Sequence, residues 1–386
     1  MRDAYVSGVG NSAPETFDDR REVNISKYEL AFSAVKNALD HAELHQDALD
    51  AAIFTTADGA EGTNRIERTL EALGQSLNIP VLTVWTGGTG GGSAFKAAAE
   101  LVQSERYDDV LVYGSPTFDS AIEAQQFLNT AAPPLFEKPF IGAAHMGAFY
   151  ATAYMEEYGA TDEDFARVAA KNYRHAENNP WAHRSGFTTD DVLESPMVVS
   201  PLRVLGTCPV TSGSTAVIVS SEETVENNDN DPVTVDGIDA STNTFLTGYR
   251  TYEQFHKLDG LADRVFEQAG IKDPYAEIDV AELFNPYIPF EYMQYEALDF
   301  CEPGEGPELL RSGATELDGE VAVNPSGGVI STNSGTQASV ARHGEIALQL
   351  MGQAGDRQVD GSPEVGVAHT WGGNDGQFHT LAVLSR

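Results

Sequence analysis

Short apolar runs alternate along this chain with stretches whose apolar positions recur every three or four residues. This pattern lays strands and helices down in turn. Ala4–Val9 reads as a strand, and Ser26–His41 as a helix with Leu30, Ala31, Ala34, Val35, Ala38 and Leu39 on one face. Ala51–Thr55 is a strand, Ile66–Leu77 a helix and Val81–Trp85 a strand that runs into the small-residue loop Thr86 to Gly92. A helix at about Ser93–Gln103 and the strand Asp109–Tyr113 follow.

From Ser115 to about Leu205 the pattern reads as an inserted region, with helices at Gly147–Tyr158 and Asp162–Glu177 and then a polar, proline-containing loop. Thr215–Ser220 returns to a strand, and the charged stretch Glu222–Asp231 is the expected boundary. The expected division is an N-terminal half over 1–225, carrying the insertion at about 115–205, and a C-terminal half over 226–386. The second half begins with Val233–Ile238, Leu261–Ala269 and Ile278–Leu283, reading as strand, helix and strand. The loop 333–336 then feeds the helix Gln337–Gln353, followed by strands Glu364–Ala368 and Phe378–Leu384. A small-residue loop leading into a helix in both halves suggests an internal duplication.

At 386 residues, 41% of them hydrophobic, the chain can bury a large core. No apolar run reaches 18 residues and no basic region precedes an apolar N-terminal stretch, so neither a membrane span nor a signal peptide is expected. Two cysteines make no disulfide framework and fit a reducing, cytoplasmic setting. Charge changes the picture most. Asp and Glu number 59 against 23 Lys and Arg, a formal net charge of -36. Such a surface repels nucleic acid and anionic membranes, whose binding rests on Lys and Arg. Carboxylates dispersed over folded segments fit a halophilic protein, because molar salt cuts the Debye length to about 3 Å and screens self-repulsion.

Several motifs in order resemble the thiolase superfamily, on the branch of the sterol-carrier-protein-type thiolases and archaeal acetyl-CoA acetyltransferases. They are Val6-Ser7-Gly8-Val9-Gly10, His145-Met146-Gly147, Cys208-Pro209-Val210-Thr211-Ser212-Gly213, Val323-Asn324-Pro325-Ser326-Gly327-Gly328 and Ala368-His369-Thr370-Trp371-Gly372-Gly373. The resemblance implies an α/β thiolase fold, with duplicated βαβαβαββ halves forming five αβαβα layers. It implies coenzyme A thioesters as substrates with no bound cofactor, and a homodimer. It also implies, for an archaeal member, a small DUF35 partner with an OB-fold and zinc ribbon.

Claisen-type acyl transfer needs a nucleophile to hold the acyl group, a base for the proton beside the thioester carbonyl and donors for the oxyanion. Aligned with the family, the nucleophilic cysteine falls on Gly88, flanked by Thr86 and Thr89, with Ser93 further on. Either threonine is a candidate substitute; the alternative is a glycine turn that lets a helix N-terminus approach a ligand or a second subunit. The GHP histidine position falls on Ser334, and Phe284 stands at the third-motif His or Asn, with Asn285 beside it. Ser334 and Asn285 are candidate oxyanion donors, although Asn285 equally suits a turn before Pro286. His369, read as following a strand, is the best remaining base, with a structural histidine as its rival. His145 and Met146 are expected at an acyl-CoA pocket, framed by Gly88, Gly327, Gly328, Gly372 and Gly373. His343 reads as a helix-surface residue, and no Cys, His and Asp cluster has metal-ligand spacing. Two readings follow: a cysteine-free acyl-CoA acyltransferase acting on β-ketoacyl-CoA, or a non-catalytic subunit that binds acyl-CoA or lipid or scaffolds a partner.

The charge analysis makes one prediction. Dialysis from molar KCl into dilute buffer should erode the far-ultraviolet circular dichroism of the protein, and restored salt should recover it.

Overall fold

The structure is a computed structural model, and it describes residues 2–19, 22–55, 79–115, 142–227, 231–244, 249–333, 335–373 and 376–386. The expected helix Ile66–Leu77, Ser334 and part of the inserted region lie outside these.

The first strands and helices are β1 (Ala4–Asn11), α1 (Lys27–His41), β2 (Ala51–Thr55), β3 (Val81–Val84), α2 (Gly90–Gln103) and β4 (Asp109–Gly114). The inserted helices α3 (Ala143–Tyr158) and α4 (Asp162–His175) lead through the small hairpin β5 (Met197–Val199) and β6 (Leu202–Arg203) to β7 (Thr215–Ser221). The remainder comprises β8 (Val233–Thr242), α5 (His256–Ala269), β9 (Val280–Leu283), α6 (Pro289–Ala297), β10 (Ala322–Val323), α7 (Thr336–Leu350), β11 (Val365–Gly372) and β12 (Phe378–Ser385). Shorter helical turns connect some of these.

Ten strands join in the order β10-β9-β11-β12-β8-β1-β7-β4-β2-β3. From the centre outward each side repeats one plan: first strand, last strand, fourth, second, third. The senses match as well, with β1–β7–β4 and β8–β12–β11 antiparallel, then β4–β2–β3 and β11–β9–β10 parallel. Among the described residues, the strands of the two sides pair through Tyr5–Thr234 and Val6–Val233.

Alternation along each strand sends side chains to opposite faces and fixes the layers. Ala31, Ala34, Val35 and Ala38 of α1 pack on Ala52, Phe54, Leu111 and Ile218 on the outer face of one side. Leu258, Leu261, Ala262 and Val265 of α5 pack on Leu283, Val367, Leu381 and Val383 of the other. Between them, Phe95 and Val102 of α2 with Val340, Ile346 and Leu350 of α7 fill one core against Val110, Val217, Ala368 and Ala382. The order is therefore α1, sheet, α2 with α7, sheet, α5: the five layers of the thiolase fold.

Sequence cues locate the outer elements well. Ser26 caps α1 through a reciprocal bond with Glu29. The central layer departs from the reading. Helix α2 starts at Gly90, inside the stretch read as a loop, because the glycines are needed for close packing and not for a turn. A Cβ on Gly91 would stand 2.3 Å from the Val340 amide nitrogen, and one on Gly92 1.9 Å from Thr380 Oγ1. His343 is fully buried on α7, where its Nδ1 bonds the Ser339 carbonyl at 2.9 Å. The surface reading fails there because α7 is enclosed on all sides. Among the described residues no helix is long and apolar enough to cross a membrane.

Helix propensity alone favours Gly91→Ala by about 1 kcal/mol. Packing against the Val340 backbone reverses the sign, and urea denaturation should show a net loss of about 1–3 kcal/mol.

Candidate functional site

The loop between β3 and α2 lies against the turn that follows β11, and the two touch backbone to backbone. A Cβ on Gly87 would stand 2.4 Å from the Gly373 nitrogen, and one on Gly372 would stand 2.3 Å from the Thr89 nitrogen. Gly87 has φ +64°, a left-handed conformation that suits glycine. Gly88, where the nucleophile is expected, has no room for a side chain. A Cβ there would lie 2.7 Å from the Trp371 carbonyl oxygen and 3.4 Å from Phe284 Cζ. The first is backbone, which cannot swing aside. The Phe284 ring fills the adjoining space.

The flanking hydroxyls have different surroundings. Thr89 is fully buried, and its Oγ1 bonds Thr370 Oγ1 and, at 3.2 Å, Thr380 Oγ1, joining α2 to β11 and β12. Thr86 is half-buried and pairs with Ser93 at 2.8 Å. Thr86 and Ser93 are the hydroxyls of this loop nearest to solvent.

His369 does not follow a strand; it lies within β11, opposite Leu381 and beside Leu283. It is fully buried. The Gln294 amide donates to the Phe284 carbonyl at 2.9 Å and to His369 Nδ1 at 2.9 Å, which leaves the ring proton on Nε2. That nitrogen donates to His379 Nδ1 at 3.1 Å. Burial, then the neighbouring imidazoles of His379 and His343, holds His369 well below the usual histidine range. Burial and the Arg250 charge push His379 down to about 3. Both rings are neutral at pH 7, and both nitrogens of His369 are bound within the protein.

Asn285, Gly327 and Gly328 meet at a second centre, built around the fully buried carboxylate of Glu291. Its Oε1 accepts from Lys171 and Tyr295, each at 2.5 Å. Its Oε2 accepts from Asn172 and Asn285 at 2.7 Å and from Asn324 at 2.8 Å. Burial alone would raise the Glu291 pKa, but the Lys171 charge and these donors hold it below the ordinary value. The Asn285 amide donates to Glu291 and to Asn172 Oδ1 at 3.3 Å, while its Oδ1 accepts the Val329 N–H at 2.8 Å. Its donors face this carboxylate and not an oxyanion site. Asn324 has φ +55°, which asparagine tolerates, and its Oδ1 accepts the Leu283 N–H at 2.7 Å. Gly328 lies where a Cβ would be 2.5 Å from Asn285 Oδ1, and Gly327 where one would meet the Ala176 methyl at 2.5 Å. Both glycines serve close packing around the carboxylate.

His145 is exposed on the first turn of α3, its Nδ1 accepting the Gly142 N–H at 3.2 Å, while Met146 is buried. Gly147 lies on the Tyr287 ring, and Tyr287, Phe290 and Trp371 continue as a row of contacting rings with centroids 5.3 and 5.0 Å apart. This row links the His145 segment to the glycine loop. Sequence reasoning missed Glu291, Gln294 and Lys171. The available signal was a nine-residue segment, Pro289–Ala297, rich in aromatic residues yet holding Glu291, Gln294 and Glu296, because acids buried in such a segment must be partnered.

Two family models cover the chain, the thiolase N-terminal domain over residues 19–223 and the thiolase C-terminal domain-like family over residues 251–386. The chain belongs to the thiolase family. This thiolase-family chain is 29% identical to sterol carrier protein 2 of Gallus gallus, over 94% of its own length and 68% of that protein. It is 29% identical to benzoylsuccinyl-CoA thiolase subunit BbsB of Thauera aromatica, covering 96% and 95% of the two chains. It is also 29% identical to the 17-hydroxy-3-oxo-4-pregnene-20-carboxyl-CoA lyase of Mycobacterium tuberculosis, covering 84% and 86%. In fold it matches a chain of the Ltp2-ChsH2(DUF35) aldolase with a TM-score of 0.84 at 23% identity, over 99% of this chain and 97% of that one.

The Glu291 centre carries a prediction. Glu291→Gln leaves Lys171 buried without its counter-charge and should cost about 3–5 kcal/mol at pH 7. The folded pKa of Glu291 is depressed, so its contribution is present above the unfolded value of 4.5 and is lost as pH falls through the folded value. Urea midpoints of wild type and variant should therefore converge as pH falls below 4.5.

Proposed function

We propose that this chain is a CoA-thioester enzyme of the thiolase type that works on the carbon–carbon bond next to the thioester without an acyl-enzyme. The observation that carries this reading is Gly88. The nucleophile position has no side chain, and the Trp371 carbonyl stands 2.7 Å from where one would begin. Thiolysis of β-ketoacyl-CoA through a covalent intermediate needs that nucleophile. Retro-aldol cleavage of a β-hydroxyacyl-CoA does not. A base takes the hydroxyl proton, the bond between the α and β carbons breaks, and its electrons pass into the thioester as an enolate, which then takes up a proton. The need is for oxyanion donors and a base. Thr86, Ser93 and Ser334 are the candidate oxyanion donors; a hydroxyl is too weak a base for the proton, which passes instead to solvent or to a base that a partner protein supplies. A lyase among the 29%-identical relatives supports this chemistry. Acetyl-CoA C-acyltransferase activity on β-ketoacyl-CoA is the family's alternative within the same enzyme class.

A non-catalytic role, binding acyl-CoA or lipid, is the second reading. It is favoured by the saturation of Thr89, His369 and Asn285 with protein partners. A DUF35-type protein suits either reading, and the fold neighbour that pairs with one supports it. We also read a homodimer. Among the described residues strand β3 ends the sheet, with Leu82 46% and Trp85 60% exposed, and such an edge invites pairing with a second copy. We read a halophilic setting from the acidic composition and a cytoplasmic one from the two cysteines.

The test uses the full chain in molar KCl, alone and with a DUF35 protein. Acetoacetyl-CoA with free CoA assays thiolysis, a β-hydroxyacyl-CoA bearing a tertiary hydroxyl assays cleavage, and calorimetry with CoA thioesters assays binding. Cleavage of the hydroxyacyl-CoA without thiolysis is the expected result, with no acetylated protein by mass spectrometry even in Gly88→Cys. Thiolysis by the wild type overturns the proposal. Binding without turnover of either substrate selects the second reading.

A further inference from the structure

Away from the glycine loops, a cavity of about 450 Å³ opens between the start of α5, the end of α6 and the loop 299–305. Phe255, Met293 and Pro303 give it apolar walls, and Asp259, Asp299, Glu302 and Glu305 stand around it. An acidic rim alone means little on a chain of net charge -36. The distinguishing feature is Glu296, which lines the cavity yet is only 7% exposed. Its Oε1 accepts from the Tyr154 hydroxyl and, at 2.9 Å, from the Gly304 N–H. Its Oε2 is buried and makes no well-formed hydrogen bond, although the Gly306 amide also favours the charged carboxylate. A buried carboxyl oxygen with nothing to accept from costs stability unless a ligand supplies the donor.

We propose that this cavity binds an organic cation, an ammonium or guanidinium on an aliphatic stem, either as a free amine or as a Lys or Arg side chain of a partner protein. The stem lies on Phe255 and Met293, the rim carboxylates supply the attractive field, and the cationic N–H donates to Glu296 Oε2. A metal ion fits less well, because no group of three or more His, Cys, Asp or Glu side chains among the described residues is arranged to hold one.

Burial raises the Glu296 pKa to about 7, against the lowering effects of Tyr154 and the amides of Gly304 and Gly306. Burial and then Asp259, Asp263 and Glu302 raise Asp299. Burial, then Glu296, Glu305 and Glu302, also raises the Cys301 thiol. The titratable groups facing Glu296 are Tyr154 and Tyr158 from α3, His256 and Asp259 from α5, and Cys301, Glu302 and Glu305 from the loop. Asp299 stands beside them on the cavity wall. An entering cation favours the charged carboxylate, so binding near pH 7 expels a proton.

Isothermal titration of the full chain, in the lowest salt that preserves the native circular dichroism, tests this with putrescine, butylguanidinium and blocked Gly-Lys-Gly and Gly-Arg-Gly peptides. At least one probe is expected to bind with Kd tighter than about 1 mM. Heats in two buffers of different ionisation enthalpy should reveal proton release at pH 7. Glu296→Gln should abolish that release and weaken binding about tenfold, the worth of one charge-assisted hydrogen bond, and Asp299→Asn should weaken binding less. Tighter binding of the peptides identifies a partner's side chain as the source, and tighter binding of the free amines a small metabolite. No binding of any probe overturns the proposal. So does an equal loss in the remote Asp190→Asn variant, which would assign the effect to general surface charge.

Discussion

The architecture depends on how closely two helices can lie between two sheet faces. Helices α2 and α7 share the central layer, and α2 reaches α7 and the adjoining strands only because its first turn is three glycines. With side chains there, the Val340 backbone and the Thr370 and Thr380 hydroxyls would be pushed away. The approach sets where α2 begins, and so where the loop before it runs. That loop is pressed onto the turn after β11 until the two backbones touch. The local geometry at Gly88 is thus a result of packing at the molecule's centre.

That constraint explains how a thiolase-family chain can keep its fold while its polar groups change occupation. Thr89 ties a helix to two strands, Asn285 neutralises part of a buried carboxylate's demand, and His369 lies in a chain of neutral groups running from Gln294 to His379. Each is a group suited to catalysis, yet each has bonded with its protein neighbours. The half-buried pair of Thr86 and Ser93 differs because it lies on the loop's outer side. Buried polar groups must find partners, and once they are found in the protein the donors are no longer open to a substrate.

The outer layers were legible because their signals are local. The Ser26 and Glu29 pair starts α1, and short apolar runs mark β7 and β12. The family motifs placed the layers correctly as well. The central layer was harder to read, since glycines that normally mark a turn serve there as contact surfaces, and a helix enclosed on every side has no polar face to betray it. His343 was misread for that reason. At the candidate site, the motifs drew attention to Gly88 and Phe284, but what surrounds these residues was not legible. That Thr89 faces Thr370, or that Asn285 faces Glu291, depends on residues far away in the sequence. Strand register decides such contacts, and no local pattern encodes it.

The carboxylate of Glu291 gathers donors from α4, from the turn after β9, from its own helix and from Asn324 beyond β10. These segments are separated by up to about 150 residues of chain, so closing the loops between them is slow and entropically costly. An ionic centre of this kind cannot be assembled piece by piece. During synthesis, α4 and α6 emerge from the ribosome before Asn324 does, and until it arrives the carboxylate has an incomplete set of donors. The carboxylate therefore gains its full set of donors only when most of the chain has been made.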